Sequence, residues 1–367
     1  MIRLEQVSKQ FGNHIAIDRV DMEIPQGEVC VLLGPSGCGK TTTMRMINRL
    51  IEPSSGRILV DGKDTAALDP VQLRRSIGYV IQQIGLFPNL TIEDNVCVVP
   101  DLLGWPRARA RARAAELLEL VNLDPGLFLK RYPRELSGGQ QQRVGVVRAL
   151  AADPPVLLMD EPFGAIDPIN REVIQDEFIK LQAELRKTVV FVSHDIDEAV
   201  KMADRVAIFR EGRLIQYDRP DAILARPVDA FVAGFVGTDR TLKRLRLYSV
   251  ADAMMADPPR VTAEDSLETA LKRMEEHGHT AIVMVGPRGR ARGLVRLDAA
   301  RDAKGLVGDH REPLPGVVKV TDDLRTAVSD MFTHGVTWLA CVDEDGFYKG
   351  YITQKGISQM LAASGSA

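Results

Sequence analysis

The sequence predicts an α/β fold built around a phosphate-binding loop, followed by a smaller α+β module, and three observations carry that prediction. A glycine-rich loop, Gly34-Pro35-Ser36-Gly37-Cys38-Gly39-Lys40-Thr41-Thr42, lies between an apolar strand at 29–33 and a helix-like run at 42–47. Two further apolar stretches end in side chains able to do chemistry: Val156-Leu157-Leu158-Met159 runs into Asp160-Glu161, and Thr188-Val189-Val190-Phe191-Val192-Ser193 runs into His194. The C-terminal part repeats itself at a constant shift of 57 residues.

The loop matches G-x-x-x-x-G-K-[ST] at every fixed position, the mark of a P-loop NTPase. Its glycines let consecutive N–H groups converge on phosphate oxygens, and the positive end of the following helix adds to that field. Lys40 is positioned to reach the β- and γ-phosphates of ATP. The Thr41 hydroxyl suits Mg²⁺, a hard ion that prefers oxygen. Cys38 occupies a free position of the motif and reads as filler.

Composition narrows the setting. A chain of 367 residues has room for about two or three domains. A net charge of -3 with 26% charged residues gives no basic excess that would suggest nucleic acid as a partner. Four dispersed cysteines contain no C-x-x-C pair, which fits a reducing compartment. The first residues lack the apolar core of a signal peptide, and no apolar run is long enough to span a bilayer, so a membrane role is expected to be peripheral.

The remaining elements follow in order. Ser76 to Gln82 reads as a buried strand that delivers Gln82 towards Mg²⁺ or the attacking water. Thr91-Ile92-Glu93-Asp94 has capping-box spacing and opens a helical subdomain at about 90–150. Within it the arginines at 107, 109, 111 and 113 spread over more than one helix face, the pattern of a solvated surface. Ser137 precedes a helix starting at Gly138, so Ser137, Gly138, Gly139 and Gln140 crown a helix N-terminus and form a second anion site. Two such sites far apart in one chain are most simply explained if one serves a neighbour's nucleotide, and two-fold symmetry then makes two sites at once. Asp160 is expected to hold Mg²⁺. Glu161 is placed to accept a proton from, or orient, the attacking water, and His194 to bridge Glu161 and the γ-phosphate. Gly164 to Asp167 forms a turn able to meet the other subunit.

The order Phe11, Gly34 to Thr42, Gln82, Leu136 to Gln140, Asp160-Glu161, Asp167 and His194 resembles the ATP-binding subunit of ABC transporters across roughly Ile2 to Val236. That resemblance implies a RecA-like core with a helical subdomain and an N-terminal antiparallel β region. It implies that Phe11 stacks on adenine, that Ser137 and Gly139 touch a γ-phosphate held by the opposite subunit of a homodimer, and that Asp167 lies in the D-loop. Gln83 to Pro88 would help receive a helix of an integral membrane permease subunit. Gly164 and Ile166 vary the usual small residues of the D-loop.

After a linker at 237–248, repeats are expected at 249–303 and 304–361, with a tail at 362–367. The shift superposes Asp265 on Asp322, Leu267 on Leu324, Met274 on Met331, His277-Gly278 on His334-Gly335 and Gly293 on Gly350. Each β-α-β-β copy is too small to bury both faces, so the two should pack together. The pair resembles a tandem CBS module. CBS clefts commonly bind adenine nucleotides, with the ribose held by an Asp near the end of a repeat. Asp298 fits that place, whereas its counterpart is Lys355. His277 and His334 each precede a glycine at a helix end, where histidine suits the helix dipole better than it suits a metal. Arg288, Arg290, Arg292 and Arg296 form either a solvated turn or a cationic patch able to meet anionic lipid.

An ABC ATPase fused to a CBS pair looks like the ATP-hydrolysing subunit of importers for quaternary-amine osmoprotectants such as glycine betaine, carnitine, choline or proline-type solutes. The architecture implies transport regulated by the CBS pair, through sensing of ionic strength or of a cyclic dinucleotide. It also implies an extracytoplasmic substrate-binding protein as an indirect partner and a place on the cytoplasmic face of the membrane. The rival readings are a soluble ABC-class ATPase acting on nucleic acid or ribosomes, and an importer for another solute.

Overall fold

The computed structural model describes residues 1–364 apart from 82–84, 165, 167 and 303. The chain forms two compact units, Met1–Thr238 and Asp239–Ala367. The first runs through β1 (Ile2–Phe11), β2 (His14–Ile24), β3 (Val29–Leu33), α1 (Lys40–Ile47), β4 (Ser55–Val60), β5 (Lys63–Asp64), α2 (Pro70–Arg75) and β6 (Ile77–Val80). Helices α3 (Ile92–Leu102), α4 (Arg107–Leu120), α5 (Pro125–Phe128) and α6 (Gly138–Leu150) follow. The unit closes with β7 (Val156–Asp160), α7 (Pro168–Leu185), β8 (Thr188–Val192), α8 (Ile196–Met202), β9 (Arg205–Arg210), β10 (Arg213–Asp218), α9 (Pro220–Ala225) and α10 (Ala230–Val236).

Two sheets organise it, one in the order β2-β1-β4-β5 and one in the order β10-β9-β3-β8-β7-β6. The second sheet is parallel except at β10. Every residue of β3, β7 and β8 is buried, which is why those strands read as unbroken apolar runs rather than alternating ones. Side chains of both sheets and of α1 share one core, with Ile2, Ile17, Leu32, Met44 and Phe209 at its centre. Thr91 caps α3, its Oγ1 accepting from the Asp94 N–H at 3.1 Å. On α4, Arg107 pairs with Asp94 at 2.9 Å, Arg113 with Glu116 at 2.6 Å and Arg111 with Glu93, while Arg109 lies over Trp105. The arginine run is thus an ion-paired, solvated surface.

The second unit contains α11 (Arg240–Arg244), α12 (Val250–Ala253), β11 (Met255–Ala256), β12 (Arg260–Val261), α13 (Leu267–His277), β13 (Ala281–Val285), β14 (Ala291–Arg296), α14 (Leu297–Asp302), β15 (Val317–Lys319), α15 (Leu324–His334), β16 (Trp338–Val342), β17 (Tyr348–Thr353) and α16 (Gln354–Ser364). Each repeat joins a parallel pair to an antiparallel hairpin: β12 with β13 and β14, and β15 with β16 and β17. The repeated helices carry equivalent caps of different chemistry. Ser266 Oγ accepts from the Thr269 N–H, and Asp323 Oδ1 from the Thr326 N–H. At the other end Gly278 and Gly335 are left-handed, so His277 and His334 do close their helices.

The boundaries differ from those expected in two places. Residues 240–247, expected as linker, are helical, and Leu245 belongs to the core of the second repeat. The amphipathic run Leu242-Lys243-Arg244-Leu245 supplies a face that a true linker lacks. The arms of the repeats are also exchanged. β11 pairs with β17 and Val250 packs in the second repeat's core, whereas Val307 packs in the first repeat's core and Glu312 bridges to Leu294. A cut between 303 and 304 therefore does not separate the two halves.

Arg244 ties the 240–247 segment to α16: buried, it donates to the Leu361 carbonyl at 3.2 Å and to Ser364 Oγ at 2.8 Å. Arg244→Ala should destabilise the second unit by about 1–3 kcal/mol. The chain has two tryptophans, so urea unfolding followed by Trp338 fluorescence in a Trp105→Phe background reads that unit alone. An unchanged midpoint would show that 240–247 behaves as a linker after all.

Candidate active site

Strands β3, β8 and β7 lie side by side in register, Leu32 beside Val192 and Val192 beside Asp160. The ladder continues one step past the strands, with Ser193 N–H donating to the Leu32 carbonyl and Glu161 N–H to the Val192 carbonyl, both at 3.1 Å. The phosphate loop, the acid pair and His194 therefore leave the same carboxyl-terminal edge, where open parallel sheets place their ligands.

In the loop, Gly34 has φ 142° and Gly39 φ 107°. A Cβ on Gly34 would sit 2.2 Å from the Phe209 carbonyl oxygen, and one on Gly39 2.7 Å from that of Ala16. Backbone packing alone thus restricts both to glycine. Pro35, Ser36 and Gly37 form the exposed rim, and Thr42 lies in the first turn of α1. Lys40 is only 7% exposed, and its Nζ donates to the carbonyls of Gly34 at 2.6 Å and Pro35 at 2.9 Å. Cys38 is buried with Sγ 3.8 Å from that ammonium, and burial pushes its thiol pKa up.

Thr41 Oγ1 donates to Asp160 Oδ1 at 3.1 Å, and Arg45 lies 3.9 Å from the other carboxylate oxygen. Burial raises the Asp160 pKa against the pull of the Thr41 hydrogen bond and of Arg45. A buried carboxylate and a hydroxyl converging on one point are the hard oxygen donors that Mg²⁺ takes, so these residues fit the ion. Glu161 has φ 46°, an uncommon backbone conformation for a residue with a side chain. Its Oε1 lies 3.7 Å from Nδ1 of His194, whose side chain is 64% exposed.

At the signature turn, Ser137 Oγ accepts from the Gln140 N–H at 3.3 Å while Gln140 Oε1 accepts from the Ser137 N–H at 3.0 Å, a complete capping box. Ser137 and Gly138 are exposed and Gly139 is half-buried. Among the described residues, no hydrogen bond or ion pair joins this turn to the phosphate loop. Phe11 is 48% exposed at the end of β1, with Lys9 Nζ 4.9 Å from its ring centre. Gln82 and Asp167 lie outside the described residues.

The second unit holds a cavity of about 480 Å³ bordered by both repeats, with His279, Trp338, Tyr348, Tyr351 and Lys355 among its lining residues. Tyr351 Oη and His279 Nε2 are hydrogen-bonded at 3.0 Å across the repeats. Asp298, expected as the ribose contact, does not line this cavity. It is exposed at the start of α14, where its Oδ1 accepts from the Ala299 N–H and lies 3.8 Å from Arg296. The end of β17, not the end of β14, faces the cavity, so Lys355 occupies the corresponding position.

Three supporting residues escaped the sequence reading. Arg45 reaches Asp160 from the exposed side of α1. Asn95, fully buried, donates to the carbonyls of Phe87, Leu90 and Thr91 and so shapes the turn after Gln82. Glu198, also buried, accepts from Ser193 beside His194. Buried polar residues inside helices carry no local motif; for Asn95 and Glu198 the one available signal was polarity at positions facing the core.

Fold and site together define a P-loop ATPase. A family model described as ABC transporter matches residues 17–164, and one described as CBS domain matches residues 250–304. The osmoprotectant import ATP-binding protein of Salmonella typhimurium is 54% identical over 99% of this chain and 97% of that relative. The glycine betaine/carnitine/choline transport ATP-binding protein of Bacillus subtilis is 47% identical over 98% of this chain and 96% of its own length. A solved dimer of a bacterial ABC transporter cassette superposes with TM-score 0.53 at 37% identity, covering 60% of this chain and 99% of that one. The chain belongs to the family of ABC transporter ATP-binding subunits, and carries the CBS pair as its second unit.

The Gly34 geometry has a direct consequence. In Gly34→Ala the new methyl meets a backbone oxygen that cannot swing away, at a φ that L-residues avoid, a strain of about 1–3 kcal/mol. ATP affinity should fall on the order of 10- to 100-fold with the far-ultraviolet circular dichroism unchanged. Titration with a fluorescent ATP analogue measures it, and wild-type affinity would refute the packing argument.

Proposed function

We propose that this chain is the ATP-hydrolysing subunit of an importer for quaternary-amine osmoprotectants of the glycine betaine, carnitine and choline type. Full-length likeness to ATP-binding subunits named for those solutes supports the solute class. The Thr41–Asp160 hydrogen bond beside the Glu161–His194 pair carries the catalytic reading.

In this reading the loop amides and Lys40 hold the β- and γ-phosphates and Phe11 stacks on the base. Thr41, Asp160 and Gln82 hold Mg²⁺, which supplies charge neutralisation at the phosphate oxygens. Glu161 orients the attacking water and accepts its proton. His194 holds the γ-phosphate end in line with that carboxylate. Ser137 and Gly139 serve the nucleotide of a second copy in a homodimer, with Asp167 at the seam, and the dimer works beneath integral membrane permease subunits. No helix among the described residues is long and apolar enough to cross a membrane, which supports a peripheral place against them. Extracytoplasmic solute capture falls to a separate binding protein, and the cytoplasmic face follows from the source of ATP.

The CBS pair is the regulatory part of the proposal. Its cavity combines the rings of Trp338, Tyr351 and His279 with the Lys355 cation, a lining suited to an aromatic base and a phosphate. We assign it an adenine nucleotide, cyclic dinucleotides included. Trp338→Ala or Lys355→Glu should weaken such binding at least tenfold in calorimetric titration, while Asp298→Ala leaves it unchanged. A loss with Asp298→Ala alone would place the ribose contact at Asp298.

Glu161→Gln should lower turnover about 10²- to 10⁴-fold, the usual contribution of a general base. It should leave ATP binding intact and yield ATP-dependent dimers by size-exclusion chromatography. Normal turnover would remove Glu161 from its role. Detergent extracts should yield the chain together with integral membrane subunits, and recovery with nucleic acid or ribosomes alone would sink the importer reading.

A further inference from the structure

Behind His194 lies a polar network that the catalytic reading leaves unused. Glu198, on the first turn of α8, is 8% exposed. Its Oε2 accepts from Ser193 Oγ at 2.6 Å, and Ser193 Oγ in turn accepts from the Asp195 N–H at 3.0 Å. The residues on either side of His194 are therefore pinned through one carboxyl group. Its other oxygen accepts from Gln175 Nε2 at 3.3 Å, on α7. One turn earlier on α7, Arg171 Nη2 donates to the Ile166 carbonyl at 3.0 Å, within the turn that follows the acid pair. Further along α7, Glu177 accepts from Asn122 and lies 3.1 Å from Arg143 of α6, the helix that Ser137 caps.

We propose that Glu198 is a positioning residue that couples the backbone at Ile166, through Arg171 and Gln175 on α7, to the orientation of His194. A carboxyl group in this place is costly to bury, and a purely apolar core contact would fill the same volume at less cost. Its two oxygens engage the two segments that must agree in geometry: the loop holding His194 and the helix that begins at the subunit seam. Displacement of α7 by events at the signature helix or at Ile166 is transmitted to Ser193 and Asp195 by hydrogen bonds. The imidazole between them turns accordingly. Burial raises the Glu198 pKa against the pull of the Ser193 hydrogen bond. Glutamine keeps the shape of the side chain and one of its two acceptor oxygens, which makes it the conservative variant.

The proposal rests on His194 acting at the γ-phosphate, and the test separates the two claims. In the full-length chain, Glu198→Ala should lower kcat on the order of 10- to 100-fold, the scale of a misplaced catalytic group, with the Kd for ATP within twofold of wild type. Glu198→Gln should keep most of the activity. Added to His194→Ala, the Glu198→Ala change should cost nothing more, because it acts only through that histidine. Additive losses in the double variant, or an unchanged kcat in Glu198→Ala, overturn the coupling. Full activity in His194→Ala overturns the site reading instead. Should Glu198→Ala fail to fold, Ser193→Ala carries the same expectations.

Discussion

The hydrogen-bonded register of β3, β8 and β7 is the constraint on which the active site depends. Leu32, Val192 and Asp160 stand abreast, and the chain leaves all three strands at one edge. A slip of β8 by one residue would turn His194 to the opposite face and move Ser193 away from the Leu32 carbonyl. Register is protected because every residue of the three strands is buried, so a slip exposes apolar surface or buries the charged residues just beyond the strand ends. The chemistry is carried by loops, yet its precision comes from a ladder buried on both faces. The φ of Glu161 belongs to the same economy of geometry: the strand ends with its N–H still paired, and the side chain is then aimed by an unusual turn.

The second unit solves a different problem. Each repeat has a small core of its own, and a third cluster of Val283, Val285, Ala340 and Tyr348 forms where the two meet. Each half is small enough for its own core to be marginal, and exchange of arms makes the dependence mutual. β11 must lie against β17, and Gly350 is needed there because a Cβ would come within 2.2 Å of the Met255 carbonyl oxygen. Its counterpart Gly293 meets Arg311 and the Glu312 carbonyl in the same way. The paired glycines that revealed the repeat in the sequence are the contact points of the exchanged arms.

What the sequence disclosed and what it withheld follow one physical division. The phosphate loop, the capping box at Ser137, the acid pair and the helix-ending histidines are local devices: each needs only neighbouring residues to define its geometry, so each was legible. Residues whose meaning depends on distant chain were not. Arg244 read as linker because its partners, Leu361 and Ser364, lie more than a hundred positions away. The arm exchange was hidden by a gapless repeat, since duplication shows that two halves are alike and not which arm joins which sheet. Asp298 was chosen by position within its repeat, and only the three-dimensional pairing shows that Lys355 meets the cavity. Glu198 and Asn95 are polar residues on core-facing sides of helices, a pattern that taken alone suggests a weak helix rather than an anchor.

The two phosphate-binding elements of the first unit are built on opposite electrostatic terms. At the loop, the Lys40 ammonium is already engaged by two backbone carbonyls, so binding phosphate exchanges hydrogen bonds and gains only the difference between a carbonyl and an anionic partner. At the signature, the Ser137 hydroxyl takes the Gln140 N–H for itself, and the earlier N–H groups of the helix, at Gly138 and Gly139, have no intrahelical partner to give up. An anion arriving there gains hydrogen bonds without breaking protein ones. The first element therefore favours a strongly charged polyphosphate, whereas the second has donors to spare for an anion. In the homodimer proposed above, that gain at the second element would fall to the phosphate held by the other copy.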